Sequence, residues 1–326
     1  MLPLPSFDIV QPRSARDAVA ARAAEPQSLY LAGGTDLLVN LKHGLHAPRL
    51  LVDLTRVEGL GAIRELPDGG LALGAMVRLE SLATSALVAL RAPGLATAAA
   101  AIAGPQHRRA GTLGGNVLLD TRCLFYNQTE FWRASIGFCL KKDGEHCHVS
   151  GSPKGCVAAQ SSDTVPMLTA LEATAHFLLP DGAAHTVPLA GLFGKDGRYE
   201  RVHQIPTGAL LTEVQVPPRR GWVAAYHKVR SRAAIDYPQL SVAVAAKFEG
   251  TTLRQLSLAV GAMLPAPRLV GPFDDLFGKP LDDAAIDQIA LRVGKACRPM
   301  TSVHGDPAWR RHMAVVETRR ALNSLR

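Results

Sequence analysis

The sequence SLYLAGGTDLL at residues 28–38 indicates how the fold begins. A strand-like run from Ser28 to Leu31 leads directly into two glycines, and a helix-like segment follows from Leu37 to Lys42. A strand, a Gly-rich turn and a helix start form the arrangement in which backbone N–H groups point at an anion such as a phosphate. A simple tight turn is the alternative, and this stretch alone leaves both interpretations open.

A second Gly-rich segment, GTLGGN at residues 111–116, follows an alanine-rich helix expected from Leu95 to Ala103. Glycine has no side chain to keep the backbone away from a ligand. Two such segments in one chain, both flanked by apolar residues, favour a pyrophosphate or a dinucleotide held between two loops. The next helix is expected from Asp163 to Ala173.

Alternating strand-like and helix-like patterns predict a fold of the α+β class. A break at Pro217–Gly221 separates a first domain, residues 1–220, from a C-terminal α+β domain, residues 222–326. Strands are predicted at residues 7–10, 28–31, 49–53, 63–65, 71–73, 174–179, 222–229, 240–248 and 253–260, and further helices at 15–24, 283–296 and 307–325.

Four of the five cysteines lie in one polar, loop-like stretch at residues 117–161, with 15, 7 and 8 residues between them. They are Cys123, Cys139, Cys147 and Cys156. Four thiolates complete the ligand set of a metal centre. The spacing has neither the C-x2-C pairs of zinc ribbons nor the tight run of bacterial ferredoxins. An Fe–S cluster or zinc both fit, and two disulfides or unrelated free cysteines are the alternatives.

Composition excludes some classes of protein. The net charge of +8 is compatible with nucleic-acid binding, but the basic residues are dispersed and aromatic residues make up only 5% of the chain. No partner nucleic acid is therefore expected. The start of the chain has no pattern of a secretory signal, and no apolar stretch is long enough to span a bilayer. We expect a cytoplasmic protein with reduced thiols and no membrane partner.

Three motifs occur in an order that is typical of one family. They are Ala32 to Asp36, Thr112 to Asn116, and Ser162-Asp163 leading into a helix. This ordered set resembles the FAD-binding medium subunits, or middle domains, of the xanthine oxidase family of molybdenum hydroxylases, which includes the carbon monoxide dehydrogenase flavoproteins. The resemblance covers essentially the whole chain. It implies an FAD-binding domain of two α/β subdomains (PCMH type), followed by a C-terminal domain of the CO dehydrogenase flavoprotein type.

The resemblance also implies a set of FAD contacts and no catalytic residue on this chain. The implied FAD-binding residues are Leu31, Ala32, Gly33, Gly34, Thr35, Asp36, Leu37, Leu38, Ile102, Thr112, Gly114, Gly115, Asn116, Asp163 and Lys228. Residues 31–38 are expected to surround the pyrophosphate. Asp163 is expected to hydrogen-bond a polar part of FAD, and Lys228 to lie near the flavin.

The cysteine stretch at residues 117–161, called the insertion below, resembles the loop that holds a [4Fe–4S] cluster in the β subunits of 4-hydroxybenzoyl-CoA reductases. The resemblance implies that the four cysteines of this loop are the cluster ligands. It further implies a large subunit with molybdopterin, a small subunit with two [2Fe–2S] clusters, and ferredoxin as electron donor. Another molybdenum hydroxylase complex with the same insertion, or a zinc-stapled flavin-binding protein, is the alternative.

Overall fold

A small parallel sheet opens the fold in the computed structural model, which describes residues 2–199 and 203–326. Its strands are β1 (Asp8–Val10), β2 (Ser28–Leu31) and β3 (Leu50–Asp53), in the order β1-β3-β2. Helices Ala15–Ala24 and Leu37–Lys42 connect them. The Ser14 hydroxyl caps the first helix by accepting a bond from the Asp17 N–H.

An antiparallel five-stranded sheet forms the second layer of the first domain. Its order is β4-β5-β8-β6-β7. The strands are β4 (Ile63–Glu65), β5 (Leu71–Gly74), β6 (Thr174–Leu178), β7 (Ala184–Pro188) and β8 (Leu210–Val216). Helices Leu79–Thr84, Ala86–Arg91, Pro93–Ala100, Pro105–Ala110, Leu113–Val117, Glu130–Ser135 and Thr164–Ala170 lie between β5 and β6 in the chain.

The C-terminal part has an antiparallel sheet of four strands, in the order β12-β11-β10-β9, and two long helices. The strands are β9 (Trp222–Val229), β10 (Leu240–Glu249), β11 (Thr252–Gly261) and β12 (Arg268–Val270), and the helices are Asp283–Ala296 and Pro307–Asn323. Asp282 and Asp306 cap these helices by accepting bonds from backbone N–H groups in the first turn.

Strand β10 is buried on both of its faces, which joins the two parts of the chain. Val242 and Val244 pack in the core beneath the C-terminal helices. Ala243 and Ala245 point to the opposite face and pack in the core of the first domain. Because side chains alternate along a strand, the small residues let helices of the first domain come close to the sheet.

The predicted α+β fold is confirmed, with local corrections. The alanine-rich helix ends at Ala100 and not at Ala103, whose φ of 43° lies in the left-handed region. The second Gly-rich segment is more than a turn, since a helix begins within it at Leu113. The insertion contains a short helix, Glu130–Ser135. None of the helices in the described ranges is long and apolar enough to cross a membrane.

Gly94 lies where the helix Pro93–Ala100 packs against the C-terminal sheet, so a substitution there tests this packing. A Cβ added there would lie 2.6 Å from the Met167 sulfur and 2.9 Å from the Ala224 Cβ. Gly94→Val should therefore lower the free energy of unfolding by about 1–3 kcal/mol through overpacking, measured by denaturant unfolding. Gly61→Val is the control, because no atom lies within 4 Å of its added Cβ. Equal stability of the two variants would contradict this packing.

Candidate functional site

A cavity of about 700 Å³ lies between the two Gly-rich segments, within the size range of ligand sites. Most of the residues expected from the sequence to contact a cofactor line it: Ala32, Gly33, Gly34, Thr35, Asp36, Leu37, Ile102, Thr112, Gly114, Gly115, Asn116 and Asp163. Leu31, Leu38 and Lys228 are not among its lining residues. Leu31 and Leu38 pack beside Gly34, and Lys228 lies behind Asp163.

Glycines let the two segments meet backbone to backbone. A Cβ on Gly33 would lie only 2.0 Å from the carbonyl oxygen of Ala110 and 2.9 Å from the Cα of Gly111. Gly34 has a φ of +70°, in the left-handed region that favours glycine. A Cβ on Gly114 would lie 2.8 Å from the carbonyl oxygen of Ala75. Glycine at these positions therefore lets the two segments form adjoining walls of one cavity.

Asn116 ties the second segment to the helix that follows the insertion. Its Oδ1 accepts bonds from the hydroxyls of Ser162, at 2.6 Å, and Thr164, at 2.7 Å. These bonds bridge 46 and 48 positions of sequence, so they close the base of the insertion. Asp163 is thereby placed at the cavity wall between its two hydroxyl neighbours.

Asp163 takes part in a buried ion pair. Its carboxylate accepts a bond from the Tyr226 hydroxyl at 2.6 Å and one from the Lys228 ammonium at 2.9 Å. Lys228 also donates to the carbonyl oxygen of Ala101 at 3.0 Å. Burial raises the pKa of Asp163, and the Lys228 ammonium and the Tyr226 hydroxyl oppose that shift. Lys228 therefore acts on the cavity through Asp163.

A second charged group on the cavity wall has no motif in the sequence. Arg122 donates to the Asp36 carboxylate at 2.8 Å, and its guanidinium stacks 4.0 Å from the centre of the Tyr237 ring. All three residues line the cavity. Arg122 lies within the insertion, directly before Cys123, so the first part of the insertion lies at the cavity wall. The neighbouring cysteine was the only sequence signal that could have drawn attention to this arginine.

The four cysteines of the insertion are buried and free of disulfides. Cys123, Cys139 and Cys156 share one apolar cluster with Leu45 and Tyr126. Burial raises the pKa of Cys123 to about 12, and charges on the other three thiols would raise it as well, which places all four near one another. The structure forms neither of the two disulfides considered from the sequence.

The thiol set does not fit a single metal ion. Within residues 2–199 and 203–326, no three or more His, Cys, Asp or Glu side chains are arranged to hold one ion. Zinc requires four ligands at about 2–2.3 Å from one point. A four-iron cluster binds each thiolate at a different iron and so accepts thiols that lie farther apart. Four thiols are the donor set that such a cluster takes, and the cluster itself stays a prediction.

The insertion is docked by the protein's own hydrogen bonds. Arg133, which is fully buried, donates to the carbonyl oxygens of His43 at 3.0 Å, Gln128 at 2.8 Å and Gly44 at 3.2 Å. The N–H of Leu124 donates to the carbonyl oxygen of Ser302, at 2.8 Å, in the C-terminal part. The insertion therefore contacts both parts of the chain, although its sequence has little periodicity.

Comparison with known proteins gives two family matches in succession. Residues 5–219 match the FAD binding domain in molybdopterin dehydrogenase, and residues 224–325 match the CO dehydrogenase flavoprotein C-terminal domain. The aldehyde oxidoreductase FAD-binding subunit PaoB of Escherichia coli is 31% identical over 72% of this chain and 76% of its own. The carbon monoxide dehydrogenase medium chain of Hydrogenophaga pseudoflava is 29% identical, over 99% of this chain and 98% of its own.

Solved structures agree with this assignment. Carbon monoxide dehydrogenase from Hydrogenophaga pseudoflava superimposes with a TM-score of 0.80 at 26% identity, covering 99% of this chain and 98% of that one. The fold and the cavity between two Gly-rich segments define a dinucleotide-binding flavoprotein subunit. The chain belongs to the FAD-binding family of the molybdopterin dehydrogenases, and FAD is its cofactor. This confirms the medium-subunit family inferred from the motifs.

Gly33→Ala should strongly reduce the FAD content of the purified protein. The added Cβ meets a backbone carbonyl that cannot rotate away, so the two cavity walls must separate. The flavin-to-protein absorbance ratio measures the effect. Gly191→Ala is the control, because its added Cβ has no atom within 4 Å. Full FAD occupancy in Gly33→Ala would show that this contact does not shape the site.

Lys228→Met should cost about 3–5 kcal/mol of stability, because it leaves the Asp163 carboxylate buried without its cation. Denaturant unfolding provides the measurement. The exposed Lys279 is the matched control, and Lys279→Met should change the free energy of unfolding by no more than about 0.5 kcal/mol. A loss for Lys228→Met as small as the control's would contradict the role of the buried pair.

Proposed function

We propose that this chain is the electron-transfer subunit of a 4-hydroxybenzoyl-CoA reductase, with FAD and one [4Fe–4S] cluster. The observation that carries the proposal is the position of the insertion. Its four cysteines are buried. Arg122, one residue before Cys123, lines the flavin cavity. A redox centre placed there would adjoin the flavin. The resemblance of the insertion to the cluster loop of those β subunits gives the proposal its substrate.

The proposed ligands of the cluster are Cys123, Cys139, Cys147 and Cys156. Hydrogen bonds support Cys147 as a ligand. Burial alone would raise the pKa of its thiol, but bonds from Ser150 and nearby backbone groups outweigh burial and lower that pKa. Such bonds favour a thiolate, which is the form that binds iron. His146 is exposed and is not needed as a ligand.

Electrons would enter from reduced ferredoxin and pass through the cluster and the flavin to the [2Fe–2S] clusters and molybdenum of partner subunits. FAD, when bound, exchanges one or two electrons and so couples one-electron centres to two-electron chemistry. The overall reaction consumes two electrons, two protons and 4-hydroxybenzoyl-CoA. It forms benzoyl-CoA and water on the molybdenum subunit, so this chain binds no substrate.

Different parts of the cavity wall would bind different parts of FAD in this proposal. Residues 31–38 and 112–116 would lie along the pyrophosphate, where glycines allow close approach. Asp163 keeps lone pairs free beside its bonds to Tyr226 and Lys228, and could accept a bond from the cofactor. Residues 1–220 would form the FAD-binding domain and residues 222–326 the second domain, in a cytoplasmic complex.

The partners follow from the same proposal. A large subunit with molybdopterin and a small subunit with two [2Fe–2S] clusters would complete the complex. The alternative function is that of a flavoprotein subunit in a hydroxylase for another substrate, since relatives are named for carbon monoxide, aldehydes and xanthine. Assaying the whole complex separates the two. Ferredoxin-dependent formation of benzoyl-CoA is expected, and oxidation of an aldehyde or a purine without it would favour the alternative.

Cys139→Ser should lower the iron and acid-labile sulfide of the anaerobically purified protein while FAD is largely retained, because both Gly-rich segments lie outside the region between Cys123 and Cys156. Chemical analysis of iron, sulfide and flavin provides the measurement. Cys297→Ala is the matched control, a buried cysteine whose thiol pKa burial raises to about 12. It should keep its full iron content. Stoichiometric zinc without labile sulfide in the unaltered protein would refute the cluster.

A further inference from the structure

Lys141, in the insertion, has a fully enclosed ammonium group. Only 1% of its side chain is exposed. Its Nζ donates to the Asp120 carboxylate at 2.6 Å, to the Thr121 hydroxyl at 2.5 Å and to the carbonyl oxygen of Gly197 at 2.7 Å. Removing both charges of an ion pair from water costs several kcal/mol per ion, so a pair this deep needs each of these bonds.

The positive end of this pair faces the cysteines. The Lys141 Nζ lies 4.4 Å from the centre of the Tyr126 ring, and that ring packs in the same apolar cluster as Cys123, Cys139 and Cys156. Lys141 also follows Cys139 by two residues in the chain, so its ammonium lies beside the cysteine cluster.

The negative end faces the flavin cavity. Asp120 lines that cavity, and the residue is only 7% exposed. One carboxylate oxygen, Oδ1, binds Lys141. Burial raises the pKa of the Tyr126 hydroxyl, and the carboxylate raises it further. The ion pair therefore lies between the flavin cavity, which Asp120 lines, and the cysteine cluster, where Lys141 contacts Tyr126.

We propose that the Asp120–Lys141 pair sets the difference in reduction potential between the two redox centres of this subunit. This inference rests on the proposed function, which places a [4Fe–4S] cluster at the cysteines and FAD in the cavity. Reduction adds negative charge, so the ammonium raises the cluster's potential and the carboxylate lowers the flavin's. Charge near either centre is a known means of tuning it, and burial strengthens the effect.

Lys141→Met in the full holoprotein removes the positive end and keeps the length of the side chain. An anaerobic redox titration would follow the cluster by electron paramagnetic resonance and FAD by visible absorbance. The cluster's potential should fall by the equivalent of at least a tenfold change in its reduction equilibrium, about 59 mV for a one-electron couple. The flavin's potential should change less, because Lys141 is not among the residues that line the cavity.

Lys142→Met is the matched control. Lys142 is the next residue in the same loop, but 36% of its side chain is exposed and its partner is Asp143 at 3.3 Å. Solvent screens a charge at such a position, so both potentials should stay close to those of the unaltered protein. A shift as large as that of Lys141→Met would overturn the specific role of the buried pair.

Asp120→Asn is the second variant, for the case that Lys141→Met does not fold. It keeps the size of the side chain and an oxygen that can accept the bond from Lys141. The flavin's potential should rise more than the cluster's. Clusters of unchanged potential in Lys141→Met, or an unchanged flavin potential in Asp120→Asn, would overturn this inference alone. Absence of iron and labile sulfide from the unaltered protein would overturn the proposed function and this inference with it.

Discussion

The contact between Gly33 and the backbone at Ala110 and Gly111 is the constraint on which the site depends. A side chain at Gly33 would overlap the Ala110 carbonyl, so the turn after β2 can rest on the next segment only because its residue is glycine. The turn then presents Asp36, which binds Arg122 at the start of the insertion. One backbone contact thus positions both the cavity and the base of the cysteine loop.

Two buried ion pairs stand at the cavity wall, and they do different things. Asp163 and Lys228 join the first domain to β9, where the lysine also binds the carbonyl of Ala101. Asp120 and Lys141 both belong to the insertion, and their pair links its cavity-lining start to the cysteine region. Buried pairs add little net stability because desolvation offsets their attraction. These pairs instead fix the positions of the elements they join and set the electrostatic potential near the site. Removing one partner of either pair leaves an uncompensated charge beside a redox cofactor site.

The sequence predicted best the elements whose signals are local. The helix after Ser14 and the paired strands β10 and β11 were predicted within one residue of their observed ends. Ser14 caps the helix, β10 contains a long apolar run, and apolar residues alternate along the second half of β11. Strand β8 was missed, although it lies at the centre of its sheet. Leu210 and Leu211 are both buried, so alternation is confined to Glu213–Val216, which is too short for a clear period-two pattern. The short helices Leu79–Thr84 and Ala86–Arg91 were missed because such helices depend on tertiary packing.

The sequence by itself determined the chemistry that is local: glycines where backbone must meet backbone, four cysteines in one insertion, and an ordered set of motifs that identified the family. Only the tertiary structure decided that Arg122, Asp120 and Lys141 belong to the site, and that Lys228 acts from behind Asp163. Those contacts join residues between 21 and 86 positions apart in the sequence. Such pairs follow no helical or strand period, so folding alone brings their charges together.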